Sequence, residues 1–313
     1  MTQSNNSMNR WIVSRRIIAL AVALAISACN SPSTVSPTAS GAAEFATPEA
    51  AVAALKGVLQ NPNPRVAEAL FGSRWSELRQ APDEAQRLRA AFLTRLERGY
   101  RIDQVGDGAI LVVGAPDDPD RFAFAVPLRQ HDGRWSWDTA AGAEEFRLRR
   151  LGRNELDTID AMKAIAAAQR AYFDSLPQGG ATAMFAARIM SSAGRKDGLY
   201  WPATGAEAQA PLGAAIAGAD CTGGAPRNAA AFNGYWFAVL PAGTIDALGT
   251  VIAWPEQYGV SGIMTFKVAP DGIVYERDLG SDTPRAREKC SESGSGETAS
   301  NGWMRSDMAS TKG

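Results

Sequence analysis

The amino-acid sequence predicts an α+β protein of two domains, each with helices packed on an antiparallel sheet. Three observations carry that expectation. Residues 48–98 read as consecutive helices, and residues 100–138 as short β-like runs parted by turn residues. Asn154 to Leu176 carries the longest helical periodicity in the chain. Thr250 to Thr283 then gives extended segments joined by tight turns, the densest run of β-formers present. Helices and an antiparallel meander, met in each half, define the class. With 313 residues the chain is long enough for two cores, and 45% hydrophobic with 21% charged residues is an ordinary globular balance.

The N-terminus sets the expected compartment. Arg15 and Arg16 precede an apolar run, Ile17 to Ile26, that is too short to cross a bilayer comfortably. It ends in Ile26-Ser27-Ala28-Cys29, which resembles a bacterial lipoprotein signal. The resemblance implies a signal peptide over residues 1–28 and a lipidated Cys29 as the new first residue. Acyl chains contribute about 0.8 kcal/mol per buried CH₂, enough for stable anchoring when several share one residue. Asn30 rather than Asp follows the cysteine, which by the same analogy leans toward the outer membrane. The expected location is the cell envelope, lipid-anchored and facing the periplasm. Without Arg10, Arg15 and Arg16 the chain holds 29 basic and 33 acidic residues, a formal charge of −4. Nucleic acid is not an expected partner, because its binders show a basic face.

Residues 29–44 are Ser/Thr/Pro/Ala-rich and form a linker. The first domain spans residues 45–146. Thr47 can cap a helix whose first turn accepts Pro48 and whose apolar face is Ala51, Leu55, Val58 and Leu59. A second helix, Pro64 to Phe71, stops at Gly72, and a third, Asp83 to Arg98, stops at Gly99. Strands are expected at Tyr100–Gln104, Ala109–Val113, Arg121–Arg129 and Arg134–Asp138, with a hairpin turn at His131-Asp132-Gly133.

Ala141 to Arg153 reads as a link, and the second domain spans residues 150–283. Asn154 is the expected N-cap of its long helix, with Leu156, Ile159, Met162, Ile165, Ala166, Tyr172 and Phe173 on the apolar face. A short helix over Ala181–Ser192 and a long ordered loop over Pro202–Phe232 follow. Four strands are expected at Tyr235–Leu240, Gly249–Trp254, Ile263–Val268 and Ile273–Asp278, with Ala269-Pro270-Asp271-Gly272 as a turn. Residues 284–313 turn to Ser, Gly and charge and are expected to be a poorly ordered tail.

Leu151-Gly152-Arg153-Asn154-Glu155-Leu156, Asp197-Gly198-Leu199-Tyr200-Trp201-Pro202, and Trp254-Pro255 with Tyr258-Gly259-Val260-Ser261-Gly262 together resemble a bacterial family of exported proteins, the domain-of-unknown-function family 2950. Phe45-Ala46-Thr47-Pro48-Glu49 and Gly133-Arg134-Trp135 through Phe146 fit the same pattern, so the resemblance runs from about Phe45 to Thr283. It implies no definite reaction. The second half is also similar in layout to pilin and pseudopilin subunits, through Ala168-Gln169-Arg170-Ala171-Tyr172 on the long helix and the Thr265 to Tyr275 hairpin. Here, however, that helix is internal, whereas a pilin begins with it.

The chemistry-bearing residues are few. The one histidine, His131, sits in a turn, which all but excludes Ser-His-Asp, Cys-His and His-based metal sites. No phosphate-cradling loop is present, and no cofactor or metal is expected. Cys221 and Cys290 are either a disulfide, as an oxidising compartment invites, or two thiols. Asp197 and Asp278 are the carboxylates a hydrolase of an envelope polymer would draw on. Tyr200, Trp201, Trp254 and Tyr258 fall in loops or at strand ends, and Tyr and Trp suit contact surfaces. The leading expectation is a binding or assembly-accessory module using Asp197, Tyr200, Trp201, Trp254, Tyr258 and Asp278, with an envelope protein or polymer as partner. A carboxylate-dependent hydrolase and a pseudopilin-like subunit, self-associating through the long helix, are the alternatives.

Overall fold

The computed structural model describes residues 41–78, 82–176, 185–203, 209–222, 229–240, 249–283 and 302–307. The expected signal peptide, Cys29 and Cys290 lie outside the described residues. The chain divides into two units, residues 1–147 and 148–313.

In the first unit, helices α1 (Pro48–Gln60), α2 (Pro64–Phe71) and α3 (Pro82–Arg98) precede strands β1 (Tyr100–Val105), β2 (Gly108–Val113), β3 (Phe122–Ala123), β4 (Leu128–His131) and β5 (Arg134–Trp137). Thr47 caps α1 by accepting from Ala50 N–H at 3.2 Å, and Asn63 caps α2 by accepting from Arg65 N–H at 3.0 Å. The sheet runs β1-β2-β4-β5, with β3 also paired to β2, and all pairings are antiparallel. Its alternating inward residues, Ala109, Leu111, Val113, Leu128, Trp135 and Trp137, pack on Ala51, Val52, Leu55, Leu70 and Phe71. The strand expected over Arg121–Arg129 is broken between Ala123 and Leu128, where Pro127 has no N–H to give to a ladder. At the β4–β5 turn Asp132 and Gly133 take φ of 49° and 76°, the left-handed pair a tight hairpin needs.

The link expected over Ala141–Arg153 is helix. Helix α4 is continuous over Thr139–Ser175, 37 residues, so Asn154 is not an N-cap. The start belongs to Asp138, whose carboxylate accepts from Ala141 N–H at 3.0 Å. Gly142 serves close packing: a Cβ there would sit 2.7 Å from Val126 Cγ2.

In the second unit α4 lies on strands β6 (Tyr235–Val239), β7 (Val251–Pro255), β8 (Met264–Val268), β9 (Val274–Asp278) and β10 (Met304–Arg305), with a one-turn helix α5 (Ala214–Ala217) between. The sheet order is β10-β9-β8-β7-β6, antiparallel throughout. The expected four-stranded meander thus gains a fifth strand from the stretch read as tail. Ile159, Met162, Ile165 and Ala166 of α4 meet Tyr235, Phe237, Val251, Ala253, Phe266 and Val268. Leu156, expected on that face, is exposed. Phe185–Ser192 is not the expected helix; it is irregular chain with bends, in which Met190 bridges Tyr200. Residues 181–184 lie outside the described residues.

Buried Gln169 ties this stretch to α4. Its amide donates to the Ala186 carbonyl at 3.0 Å and accepts from Ala186 N–H at 2.8 Å, so one side chain stands in for a neighbouring strand.

Candidate functional site

The loop after β7, residues 256–263, is held at several points. Glu256 N–H donates to the Gly234 carbonyl at 2.8 Å, and Gly259 N–H to the Gly262 carbonyl at 2.8 Å. Two adjacent α4 side chains clamp its far end. Asn154 Nδ2 donates to the Ser261 carbonyl at 2.8 Å, and Glu155 Oε1 accepts from Ile263 N–H at 2.8 Å and Met264 N–H at 3.0 Å. Two of the motifs that carry the family resemblance are therefore the two sides of one joint.

Gly262 closes over Tyr235, and a Cβ there would collide with the phenol ring. The Tyr235 hydroxyl donates to the Met264 carbonyl at 2.9 Å. Burial, with the Glu155 and Glu276 carboxylates nearby, pushes that phenol far above the ordinary tyrosine range, so it remains a donor.

The loop presents two large side chains outward: Tyr258 is 43% and Val260 47% exposed. The Tyr258 hydroxyl reaches Asp278 Oδ2 at 3.3 Å, while Asp278 Oδ1 accepts from Gly280 N–H at 2.8 Å. The bond to Asp278 raises the Tyr258 pKa, keeping the phenol protonated. Of the six residues singled out in the sequence, Tyr258 and Asp278 are thus brought into contact.

Asp197 and Trp201 belong to another loop. Asp197 accepts from Ser192 N–H at 2.7 Å and from the Ser192 hydroxyl at 2.8 Å, closing the turn over residues 192–197. Those two bonds hold its carboxyl below the usual aspartate range. Gly198 fits against the Ser191 backbone, where a Cβ would lie 2.8 Å from the amide nitrogen. The Lys196 ammonium stands 5.4 Å from the centre of the half-buried Trp201 ring. Tyr200 packs on the core and Leu199 is inside it.

Trp254 is not a surface residue. It is 1% exposed, because strand alternation on β7 turns it to the face opposite α4, where Cys221, Ala238, Ile252 and Leu279 cover it. Cys221 is buried beside it; Cys290, with which a disulfide is one of the two expectations, lies outside the described residues. On this same face Lys267 lies 4.7 Å from the centre of the Trp303 ring, and its burial lowers its pKa.

Two open grooves flank α4. One, of about 360 Å³, runs between Lys163, Arg170 and the Pro270-Asp271 turn. The other, of about 350 Å³, lies between Asp157, Asp160, Ile216 and Phe232. Several of their charged groups are engaged: Arg170 donates to the Pro270 carbonyl at 2.6 Å, Asp157 accepts from Asn233 at 3.0 Å, and Asp160 pairs with Lys163 at 3.4 Å. Among the described residues no three His, Cys, Asp or Glu side chains are grouped to hold a metal ion, and no helix is long and apolar enough to cross a membrane.

Sequence reasoning missed the Asn154–Glu155 clamp, the Gln169 tie and the Lys267–Trp303 contact. A signal for the first was present. Glu155 falls four residues after Leu151 and four before Ile159, on the inward stripe of α4, where a carboxylate must find donors.

No curated protein and no solved structure matches the chain. The model of the family described as protein of unknown function (DUF2950) matches residues 42–298, and the chain belongs to that family.

Proposed function

We propose that this chain is a lipoprotein of the cell envelope, anchored through Cys29, facing the periplasm and held at the outer membrane. In this reading it acts as a binding or assembly-accessory module, and its contact surface is the loop bearing Tyr258 and Val260 with Asp278 beside it. The observation that carries the proposal is the combination of outward apolar side chains with a clamped backbone. Exposed Tyr258 and Val260 stand on a loop that Asn154 and Glu155 hold by three hydrogen bonds. A surface already ordered loses little conformational entropy on binding, and tyrosine offers a broad apolar face with a polar tip. The partner is an envelope protein or polymer. The pilin-like layout of the second half, one long helix on an antiparallel sheet, belongs to the same proposal as a scaffold for that loop.

The test is photo-cross-linking in intact cells from residue 258 or 260, with exposed Leu88 on α3 as the control position. A discrete adduct from both loop positions and none from residue 88 supports the reading. Loop positions that yield no adduct, or the same products as residue 88, overturn it.

A further inference from the structure

The strand paths β1-β2-β4-β5 and β10-β9-β8-β7-β6 end in four edges, of which three are covered or very short among the described residues; β3, off the first path, is two residues long. Phe45 bridges Trp135 on β5, with both backbone bonds at 2.7 Å. On β6, Phe237 N–H donates to the Ala219 carbonyl at 3.0 Å and its carbonyl accepts from Cys221 N–H at 2.7 Å. Strand β10 is two residues long.

The fourth edge is different. Strand β1, Tyr100–Val105, is six residues long, pairs with β2 in unbroken register, and holds no proline or bulge; of the features that blunt an edge it has only charge, and its two charged residues, Arg101 and Asp103, are of opposite sign. Gly114 N–H donates to the Gly99 carbonyl, which sets the alternation of the ladder. Arg101, Asp103 and Val105 exchange bonds with β2, so the N–H and C=O groups of Tyr100, Ile102 and Gln104 point outward. No other backbone bond to these three residues is present among the described residues.

We propose that β1 is a self-pairing edge, through which two copies of this chain associate by antiparallel strand pairing about a two-fold axis at Ile102. The order of side chains is what selects a second copy as the occupant. Antiparallel pairing centred on Ile102 sets Ile102 against its own counterpart and Tyr100 against Gln104 of the second copy. It also sets Arg101 against Asp103 of the second copy, and Asp103 against Arg101. The strand is therefore charge-complementary to itself, as an isologous interface requires. Within one copy Arg101 already holds Asp103 by bonds of 2.8 and 3.0 Å. Pairing doubles these into an alternating quartet.

On the other face, Tyr100 and Ile102 lie opposite the buried Val113 and Leu111. Pairing extends that apolar face across the axis and covers Tyr100, which is 46% exposed. This surface lies in the first unit and is independent of the Tyr258 loop.

The experiment is sedimentation velocity of the full chain in mild detergent over a concentration series, for the parent and for Arg101→Asp, Asp103→Arg and Gln104→Pro. The parent is expected to pass from monomer to dimer. Either charge reversal turns two attractive pairs into repulsive ones and weakens association about tenfold. An equal mixture of Arg101→Asp and Asp103→Arg chains restores it, because their edges are complementary. Gln104→Pro removes an outward N–H without altering charge and also weakens the dimer. Circular dichroism melts confirm that each variant is folded. A parent that stays monomeric throughout, as an edge reserved for a foreign strand would, overturns the proposal. So does a dimer insensitive to both reversals, or a mixture no better than its components.

Discussion

Glu155→Ala tests whether the α4 clamp sets the loop. The wild-type carboxylate accepts from Ile263 and Met264 N–H through a single oxygen, and alanine leaves both part-buried amides without that acceptor. Breaking a hydrogen bond to a charged group costs about 1.5–3 kcal/mol. Water can reach the rim of this loop, and Asn154 still holds the Ser261 carbonyl. The two losses therefore sum to about 3 kcal/mol rather than the upper bound. At about 2–4 °C per kcal/mol for a unit of this size, the melting temperature of the second unit falls by roughly 6–12 °C. Glu155→Gln keeps an acceptor oxygen and loses only its charge, so it costs about 1 kcal/mol. The assay is urea unfolding followed by tryptophan fluorescence, with amide hydrogen exchange at Ile263 and Met264 as the local readout. Exchange at those two amides rises in the alanine variant before global unfolding. A Glu155→Ala protein within about 0.5 kcal/mol of the parent, or one whose two amides remain as protected, refutes the clamp.

Two further outcomes follow from the second unit. The Asp197 carboxyl is held low by its bonds to Ser192, so its folded pKa lies below its unfolded one. The stability it contributes is present above the unfolded aspartate value of about 3.9 and is lost as pH falls through the depressed folded value. Asp197→Asn is therefore less stable than the parent at neutral pH, and melting curves across an acid series show the difference shrinking below about pH 4. Gln169→Leu preserves volume but strips Ala186 of both its partners in a fully buried setting, and costs about 2–4 kcal/mol by urea titration.

Much of the architecture is legible wherever a single periodicity governs a stretch. The alternation at residues 264–268 places Phe266 and Val268 inward, and the left-handed φ of 81° at Gly272 suits the turn chemistry read there. Asp132-Gly133 is legible for the same reason. The start of α4 is not: Ala141 to Arg153 reads as a link, with Asn154 as the N-cap, whereas the helix begins at Thr139. Gly142 is there to let Val126 approach, a tertiary cause that local propensity cannot register. Strand β10 has two residues and so no period to detect. Trp254 shows the corresponding limit for the site. Alternation on β7 assigns it to the face away from α4, but whether that face is open or covered depends on Cys221 and Leu279, both distant in sequence. Asp278 and Tyr258, twenty residues apart, meet only because β8 and β9 return the chain beside the loop.

The residues that looked most like chemistry are held by the bonds that shape the loops, and the two roles oppose each other. A general base working near neutral pH needs a carboxyl raised toward 7, which burial or a like charge provides. Donors aimed at the carboxylate act in the opposite sense. Asp197 has two donors from Ser192 and a lowered pKa, so the arrangement that makes it a firm clasp makes it a weak proton acceptor. Asp278 divides its oxygens between Tyr258 and Gly280, and Glu155 gives one oxygen to two amides. Freeing any of them for proton transfer would release the loop it holds. Energetically, these carboxylates are most valuable as fasteners of the loops that carry them.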